Sequence, residues 1–222
     1  MKDNPAWDLF LRTVEAGARA MGHPLTVTQT AQFVRHGQEL WAWNAAVNLT
    51  AVSQPDVLAE RQFLDVIPLA GILPQRWRIL DVGSGGGFPG VPLKVLRPDL
   101  KICLIDGVRK KSTFLKHLVR MLGLKDILVR QDRAEALVGG REEAWREWDG
   151  VVAKAVGKPE QVVRWCAPLV KTGGWLVLMG AGDERRGDEL AAKAGFEVVR
   201  HSYRLPVSGI ERCLSVYEKG RW

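Results

Sequence analysis

The sequence predicts an α/β protein with three layers: a mostly parallel sheet ending in an antiparallel strand pair, and a helical cap ahead of it. Three observations carry this expectation. After Trp77, short apolar runs rich in β-branched residues alternate with helical stretches, the pattern of parallel strands joined by crossover helices. Five glycines fall within residues 83–90, between the first of those runs and the helix after it. The last two runs, 196–203 and 212–217, follow each other with no helix between them, as an antiparallel pair does.

The elements are expected in the following order. Trp7, Phe10, Leu11, Val14 and Ala18 recur at three- and four-residue steps and mark the apolar face of a first helix. The pattern repeats from 25 to 44 through Phe33, Leu40 and Trp41, with Thr26 or Thr28 as its cap. Asn48, Leu49 and Thr50 interrupt it. Pro55 sits near the start of a third helix, 56–70, which ends before Pro74. Residues 1–76 are the expected cap and 77–222 the sheet domain. No Gly/Ser-rich linker separates them, so the cap is expected to pack on the sheet. Strands are then expected at 78–82, 101–106, 127–130, 150–154 and 175–179. Helices follow them at 89–97, 109–122, from 133, 159–170 and 184–194. The segment 141–148, REEAWREW, reads as a solvated helix.

The chain has 222 residues, 32 Lys and Arg against 25 Asp and Glu, and a formal net charge of +7. The first 76 residues hold 6 basic and 7 acidic side chains, the rest 26 and 18. The surplus therefore lies wholly in the sheet domain, where it points to a polyanionic partner such as nucleic acid, or to a solvated surface. A composition 46% hydrophobic and 26% charged is that of a folded chain, not a disordered one. No apolar run approaches the roughly 20 residues that a membrane helix needs. The opening MKDNPAWDLF has acids where an export signal is basic and then apolar, so a cytoplasmic protein is expected. Cys103, Cys166 and Cys213 form no CxxC pair and have no nearby His partner, which argues against a disulfide framework and a metal site.

The strongest local signal runs from Asp81 to Gly90. A glycine turn after the first strand of an open α/β sheet lets a nucleotide-like ligand approach the backbone closely. Two readings compete. Gly85-x-Gly87-x-x-Gly90 matches the dinucleotide fingerprint, with Asp106 21 residues after Gly85. Gly83-x-Gly85-x-Gly87 after Asp81 matches instead the first motif of S-adenosylmethionine-dependent methyltransferases, with Asp106 placed for the ribose hydroxyls. Both cofactors carry a ribose, so Asp106 does not separate them. Pro89 and Pro92 weigh against a pyrophosphate site, because they remove helix-start amides. The terminal strand pair also fits the methyltransferase topology better.

At this point the chain resembles a known family, the bacterial 16S ribosomal RNA guanine-N7 methyltransferases (RsmG or GidB). Trp43-Asn44 with Asn48-Leu49-Thr50, Arg61 with Leu64-Asp65, and Asp81 through Leu93 follow its motifs in order. So do Asp106, Lys110-Lys111 and Phe114-Leu115, then Arg133-Ala134-Glu135 and Glu211-Arg212. The Phe88-Pro89-Gly90-x-Pro92 tail is more specific than the glycines. The resemblance implies a three-layer Rossmann-like class I methyltransferase domain that moves a methyl group from S-adenosyl-L-methionine to a guanine of 16S rRNA. It further implies cofactor contacts from Gly83, Phe88, Ala134, Glu135 and Lys154. The general motif adds Gly85, Gly87 and Asp106. Four positions depart from the family pattern. Gln62 stands for its histidine, Val66 for its serine, Lys154 for its arginine and Met179 for its lysine. A lysine is a point charge and does not reproduce the planar arginine fork.

The implied chemistry agrees with the residues present. Methyl transfer is an in-line displacement in which the leaving group departs neutral, and guanine N7 carries a lone pair and no proton. Alignment and desolvation are then the main tasks, and no general base is required. No catalytic role is assigned to His23, His36, His117 or His201. Cys166-Ala167-Pro168 has the wrong order for a nucleophilic Pro-Cys motif and reads as packing. For RNA, Arg109, Lys116 and Arg120 share one face of the helix 109–122, opposite Leu115, Leu118 and Leu122. Lys110 and Lys111 extend the basic surface toward Asp106. The bland alternative for this face is solvation. Trp41, Trp77, Trp165 and Trp175 read as core, whereas Trp145 and Trp148, in a charged segment, read as exposed and available for stacking. A monomer acting on 16S rRNA or the small ribosomal subunit is expected. The same fold acting on another RNA or a protein, a nicotinamide-dependent oxidoreductase and a non-catalytic RNA-binding module are the alternatives.

Overall fold

In a computed structural model, residues 5–138, 147–180 and 185–220 are described, so the 141–146 part of the REEAWREW helix and Trp145 lie outside them. The first helix, α1 (Pro5–Ala20), buries Phe10, Val14 and Ala18. The second, α2 (Val27–Val47), starts at a capping box: Gln29 N–H donates to Thr26 Oγ1 at 3.2 Å and Thr26 N–H to Gln29 Oε1 at 2.9 Å. Its end is set by Asn44, whose Oδ1 accepts from the amides of Leu49 (2.8 Å) and Thr50 (2.9 Å) and so closes the 48–50 turn.

The expected third helix is a composite. α3 (Pro55–Leu58) runs into a π-helical turn, Ala59–Phe63, then a 3-10 turn, Leu64–Val66, then α4 (Ile67–Ile72). Irregular turns of this kind re-aim side chains. Here they carry Glu60 and Asp65, both buried. Glu60 Oε1 accepts from the amides of Val207 and Ser208 at 2.7 Å, which ties this segment to the far end of the sheet.

Among the described residues the sheet has seven strands: β1 (Arg78–Val82), β2 (Lys101–Ile105), β3 (Ile127–Arg130), β4 (Trp148–Lys154), β5 (Val170–Gly180), β6 (Phe196–Arg204) and β7 (Glu211–Lys219). Their order is β3-β2-β1-β4-β5-β7-β6. The first five are parallel, and β7 is antiparallel to both β5 and β6. The helices between strands are α5 (Gly90–Leu96), α6 (Arg109–Met121), α7 (Ala134–Val138), α8 (Pro159–Cys166) and α9 (Arg185–Lys193). α8 stops four residues short of expectation, in a 3-10 turn at Ala167–Leu169, because Pro168 has no N–H for the helix ladder. β5 begins five residues early and runs through Gly173 and Gly174.

Strand pleating sends alternate residues to two cores. One contains Ile79, Ile102, Leu104, Val152 and Val177 with residues of α1–α6. The other contains Leu80, Cys103, Ile105, Val151 and Leu176 with residues of α7–α9. Residues 1–76 therefore share one core with the sheet. Phe63 is at its centre, with ring centroids of Phe10, Phe33 and Phe88 at 5.1, 5.0 and 5.2 Å. Arg97 adds polar ties, donating to the carbonyls of Ala70, Leu73 and Pro74.

Two tryptophan expectations are corrected. Trp41 is 43% exposed, on the outer side of α2 against the edge of Trp7. Trp148 is buried: β4 starts at this residue, its side chain joins the second core, and the Arg78 guanidinium lies 5.0 Å from its ring. Among the described residues, no helix is long and apolar enough to cross a membrane.

Candidate active site

The strand order reverses beside β1, with β2 on one side and β4 on the other, and the crevice at the carboxyl ends of these strands is where open α/β sheets bind ligands. The chain leaves β1 into the glycine turn. Gly83 has φ +68°, and a Cβ there would stand 2.8 Å from Val156 Cγ2, so only glycine fits. The turn is wired internally. Gly87 and Phe88 N–H donate to the Ser84 carbonyl, Val91 N–H to that of Gly87, and Gly90 N–H to Asp81 Oδ2 at 2.9 Å. Asp81 is fully buried, with Oδ1 unpartnered, and burial pushes its carboxyl up to about 7 despite the Gly90 bond.

Asp106 follows β2 and joins two loops. Its Oδ2 accepts from Gly85 N–H at 3.0 Å and its Oδ1 from Val108 N–H at 2.8 Å. It lines a cavity of about 210 Å³ with Val82, Gly83, Ala134, Glu135 and Trp165 among its neighbours. A larger cavity of about 440 Å³ lies at the ends of β4, β5 and β7, with Arg61, Asp65, Lys154, Met179 and Arg212 in its wall. Val156, on the loop after β4, belongs to both cavities.

The sequence-derived residues thus divide. Gly83, Asp106, Ala134 and Glu135 meet at the smaller cavity, and Lys154 lines the larger one. Gly85 and Gly87 shape the turn, with φ of +54° and +94°. Phe88 lines neither cavity; it is stacked on His36 at 4.7 Å and packed against Phe63. Of the four departures, Gln62, Lys154 and Met179 line the larger cavity, and Val66 is fully buried. Arg109, Lys110, Lys116 and Arg120 are exposed along α6 and Lys111 is half-buried, while Leu115, Leu118 and Leu122 are buried beneath them.

Sequence reasoning matched Asp65 and Arg212 to motifs but gave neither a place in the site. Asp65 Oδ2 accepts from Lys154 Nζ at 2.8 Å, and its Oδ1 from the Tyr203 hydroxyl at 2.7 Å. Burial pushes the Lys154 ammonium below the ordinary lysine range, and Asp65 pulls it back. His36 is fully buried beneath the turn, with Nε2 2.8 Å from the Gly86 carbonyl, and burial lowers its pKa to about 4. Only their positions within quoted motifs, or on a helix face, signalled these residues. Burial raises the Cys103 and Cys166 thiols to about 11 and about 12, as suits packing residues.

This sheet order, with an open glycine turn after β1 and an acid after β2, defines a Rossmann-like methyltransferase fold. The fibrillarin of Aeropyrum pernix, solved with natively bound S-adenosyl-L-methionine, superposes with a TM-score of 0.55 at 20% identity, over 71% of this chain and 75% of its own. The likeness is one of fold. More particularly, residues 29–208 match the model of the GidB family, rRNA small subunit methyltransferase G, and the chain belongs to that family. Its relatives named ribosomal RNA small subunit methyltransferase G include one from Roseiflexus sp. (strain RS-1), 39% identical over 86% of this chain and 79% of that protein. Another, from Geotalea uraniireducens, is 35% identical over 91% of this chain and 94% of its own length.

Proposed function

We propose that the protein transfers a methyl group from S-adenosyl-L-methionine to N7 of a guanine in the 16S rRNA of the small ribosomal subunit. The observation that carries the reading is the pair of cavities meeting at Val156: a nucleoside-sized one beside the glycine turn, and a larger one for the acceptor base.

The residues present fit this cofactor. The smaller cavity offers the Asp106 and Glu135 carboxylates for ribose hydroxyls, apolar walls from Val82, Val156 and Trp165, and a glycine where a side chain would intrude. They fit a dinucleotide poorly. The amides of Gly85, Gly87, Phe88, Gly90 and Val91 are committed within the protein, and Pro89 has none. A pyrophosphate would also face Asp106, Asp132 and Glu135 with one arginine, Arg133, in the same lining.

When bound, the cofactor supplies an electrophilic methyl group on a sulfonium. Gly83, Asp106, Ala134 and Glu135 hold it, Gly85, Gly87 and Phe88 keep the turn in shape, and Lys154 borders the methyl-transfer end. Residues 77–222 carry these groups, and residues 1–76 act as a cap that closes the larger cavity through Arg61, Gln62 and Asp65. The N7 lone pair needs no base, so the chain's work is to align and to exclude water. Arg109, Lys110, Lys111, Lys116 and Arg120 supply the phosphate-facing surface on α6.

Two measurements test the reading. Calorimetric titration should show S-adenosylhomocysteine binding and no NADH binding; the reverse would overturn it. Radiolabelled S-adenosylmethionine should label small subunits or deproteinised 16S rRNA. Cofactor binding without label in either would leave a non-catalytic RNA-binding module.

A further inference from the structure

Three side chains from three parts of the fold meet in the wall of the larger cavity, Asp65 from the 3-10 turn, Lys154 from the end of β4 and Arg212 from β7, and Tyr203 from β6 reaches Asp65 from outside that wall. Lys154 neutralises Asp65 and spends a second donor on the Arg61 carbonyl at 2.6 Å. Tyr203 takes the other carboxylate oxygen. Arg212 is left over. Its Nε is buried without a hydrogen-bond partner and stands 3.8 Å from Asp65 Oδ1, too far for a bond. The Arg212 side chain is 23% exposed and lines the cavity, whereas Arg61, the other arginine of that wall, is exposed to solvent. Among the described residues, Arg212 is therefore a part-buried cation of this wall whose Nε donor is unused.

We propose that Arg212 selects guanine over adenine by donating to O6 of the target base. The inference rests on the N7-guanine reading above. Both purines offer a lone pair at N7, and they differ at position 6, where guanine has an accepting oxygen and adenine a donating amine. A donor bonded to N7 would quench the nucleophile, so selection along the edge that carries N7 has to act at position 6. Arginine has donors only: it satisfies O6 and opposes an amine, which leaves buried donors of both partners unmet. In the transfer, the N7 lone pair forms the new C–N bond and the C–S pair stays on sulfur. Positive charge passes from sulfonium to base, and no proton moves.

The test uses wild type, Arg212→Gln and Arg212→Lys on small subunits reconstituted with 16S rRNA. At the nucleotide that wild type methylates, the rRNA carries guanine, inosine or 2,6-diaminopurine. Wild type should accept guanine and inosine, which share O6, and reject diaminopurine. The glutamine amide can accept as well as donate, so Arg212→Gln should lose about 10- to 100-fold in kcat/KM on guanine and narrow the preference over diaminopurine by a similar factor. Its KM for S-adenosylmethionine should not change. Arg212→Lys should keep the direction of the preference, and thermal melts establish that both variants are folded. Equal proportional losses on all three bases would overturn the assignment. So would a rise in cofactor KM alone, which would make the cofactor carboxylate the partner of Arg212. If wild type methylates no guanine at N7, the proposed function itself fails, before any variant is read.

Discussion

Asp106→Asn tests the cofactor cleft at its hinge. The carboxylate accepts two backbone N–H groups, from Gly85 at 3.0 Å and Val108 at 2.8 Å, and is almost wholly buried. Asparagine brings one accepting oxygen and an amine, so one of the two amides faces a donor. The loss of one such bond costs folding stability, about 1.5–3 kcal/mol for a charged acceptor, in the free and the bound protein alike. Affinity falls through the proposed ribose contact, which becomes a neutral hydrogen bond and loses ~1–2 kcal/mol. Calorimetric titration with S-adenosylhomocysteine should therefore show about 5- to 30-fold weaker binding. Asp132→Asn is the control: it lines the same cavity but bonds to Arg130, and its affinity should stay within about threefold of wild type. If the folded Asp106→Asn variant binds as tightly as Asp132→Asn, Asp106 does not hold the cofactor.

Three further outcomes follow from the packing and the charges. Phe63→Ala removes a fully buried ring from the junction of cap, turn and sheet and should cost about 3–5 kcal/mol in denaturant unfolding; a loss below ~1 kcal/mol would mean the cap does not depend on this core. His36 is lowered from 6.5 to about 4, so its stabilising effect is full above pH 6.5 and fades as pH falls toward 4; Asp81, raised from 3.8 to about 7, acts in the opposite sense, losing its contribution as pH rises through that range. The two oppose each other in wild type, so Asp81→Asn should uncover a rise of about 2–3 kcal/mol in unfolding free energy between pH 4.5 and 7, and a flat profile would refute the buried-neutral His36. Replacing Lys116 and Arg120 together by Glu should leave S-adenosylhomocysteine affinity unchanged and reduce the slope of log K for rRNA against log salt by about 2; an unchanged slope would remove α6 from the RNA surface.

Local signals made much of this molecule legible in sequence. The strand pattern, the Thr26 cap and the glycine turn with Asp106 each depend on residues close in the chain, and each stands where expected apart from the early starts of β4 and β5. What the sequence concealed arises from distant pairings. Tyr203 and Asp65 are 138 positions apart, and no periodicity predicts that they meet. The π-helical turn at Ala59–Phe63 looks like ordinary helix in sequence, because a one-residue offset leaves the apolar pattern nearly intact. Trp148 reads as exposed because its neighbours are charged, yet the pairing of β4 with β5 draws it into the core. The fingerprint Gly85-x-Gly87-x-x-Gly90 left the cofactor class open, and the hydrogen bonds within the turn decided against pyrophosphate.

The central claim is methylation of one guanine at N7 in small-subunit rRNA. Chemical mapping of N7-methylguanine in 16S rRNA from cells with and without this gene tests it most directly. The account predicts one N7-methylated guanine that is present with the gene, absent without it, and restored when the purified protein and S-adenosylmethionine are added to the unmethylated small subunits. Identical N7 maps from the two cells, or a gene-dependent methyl group on another atom or another RNA, would contradict it.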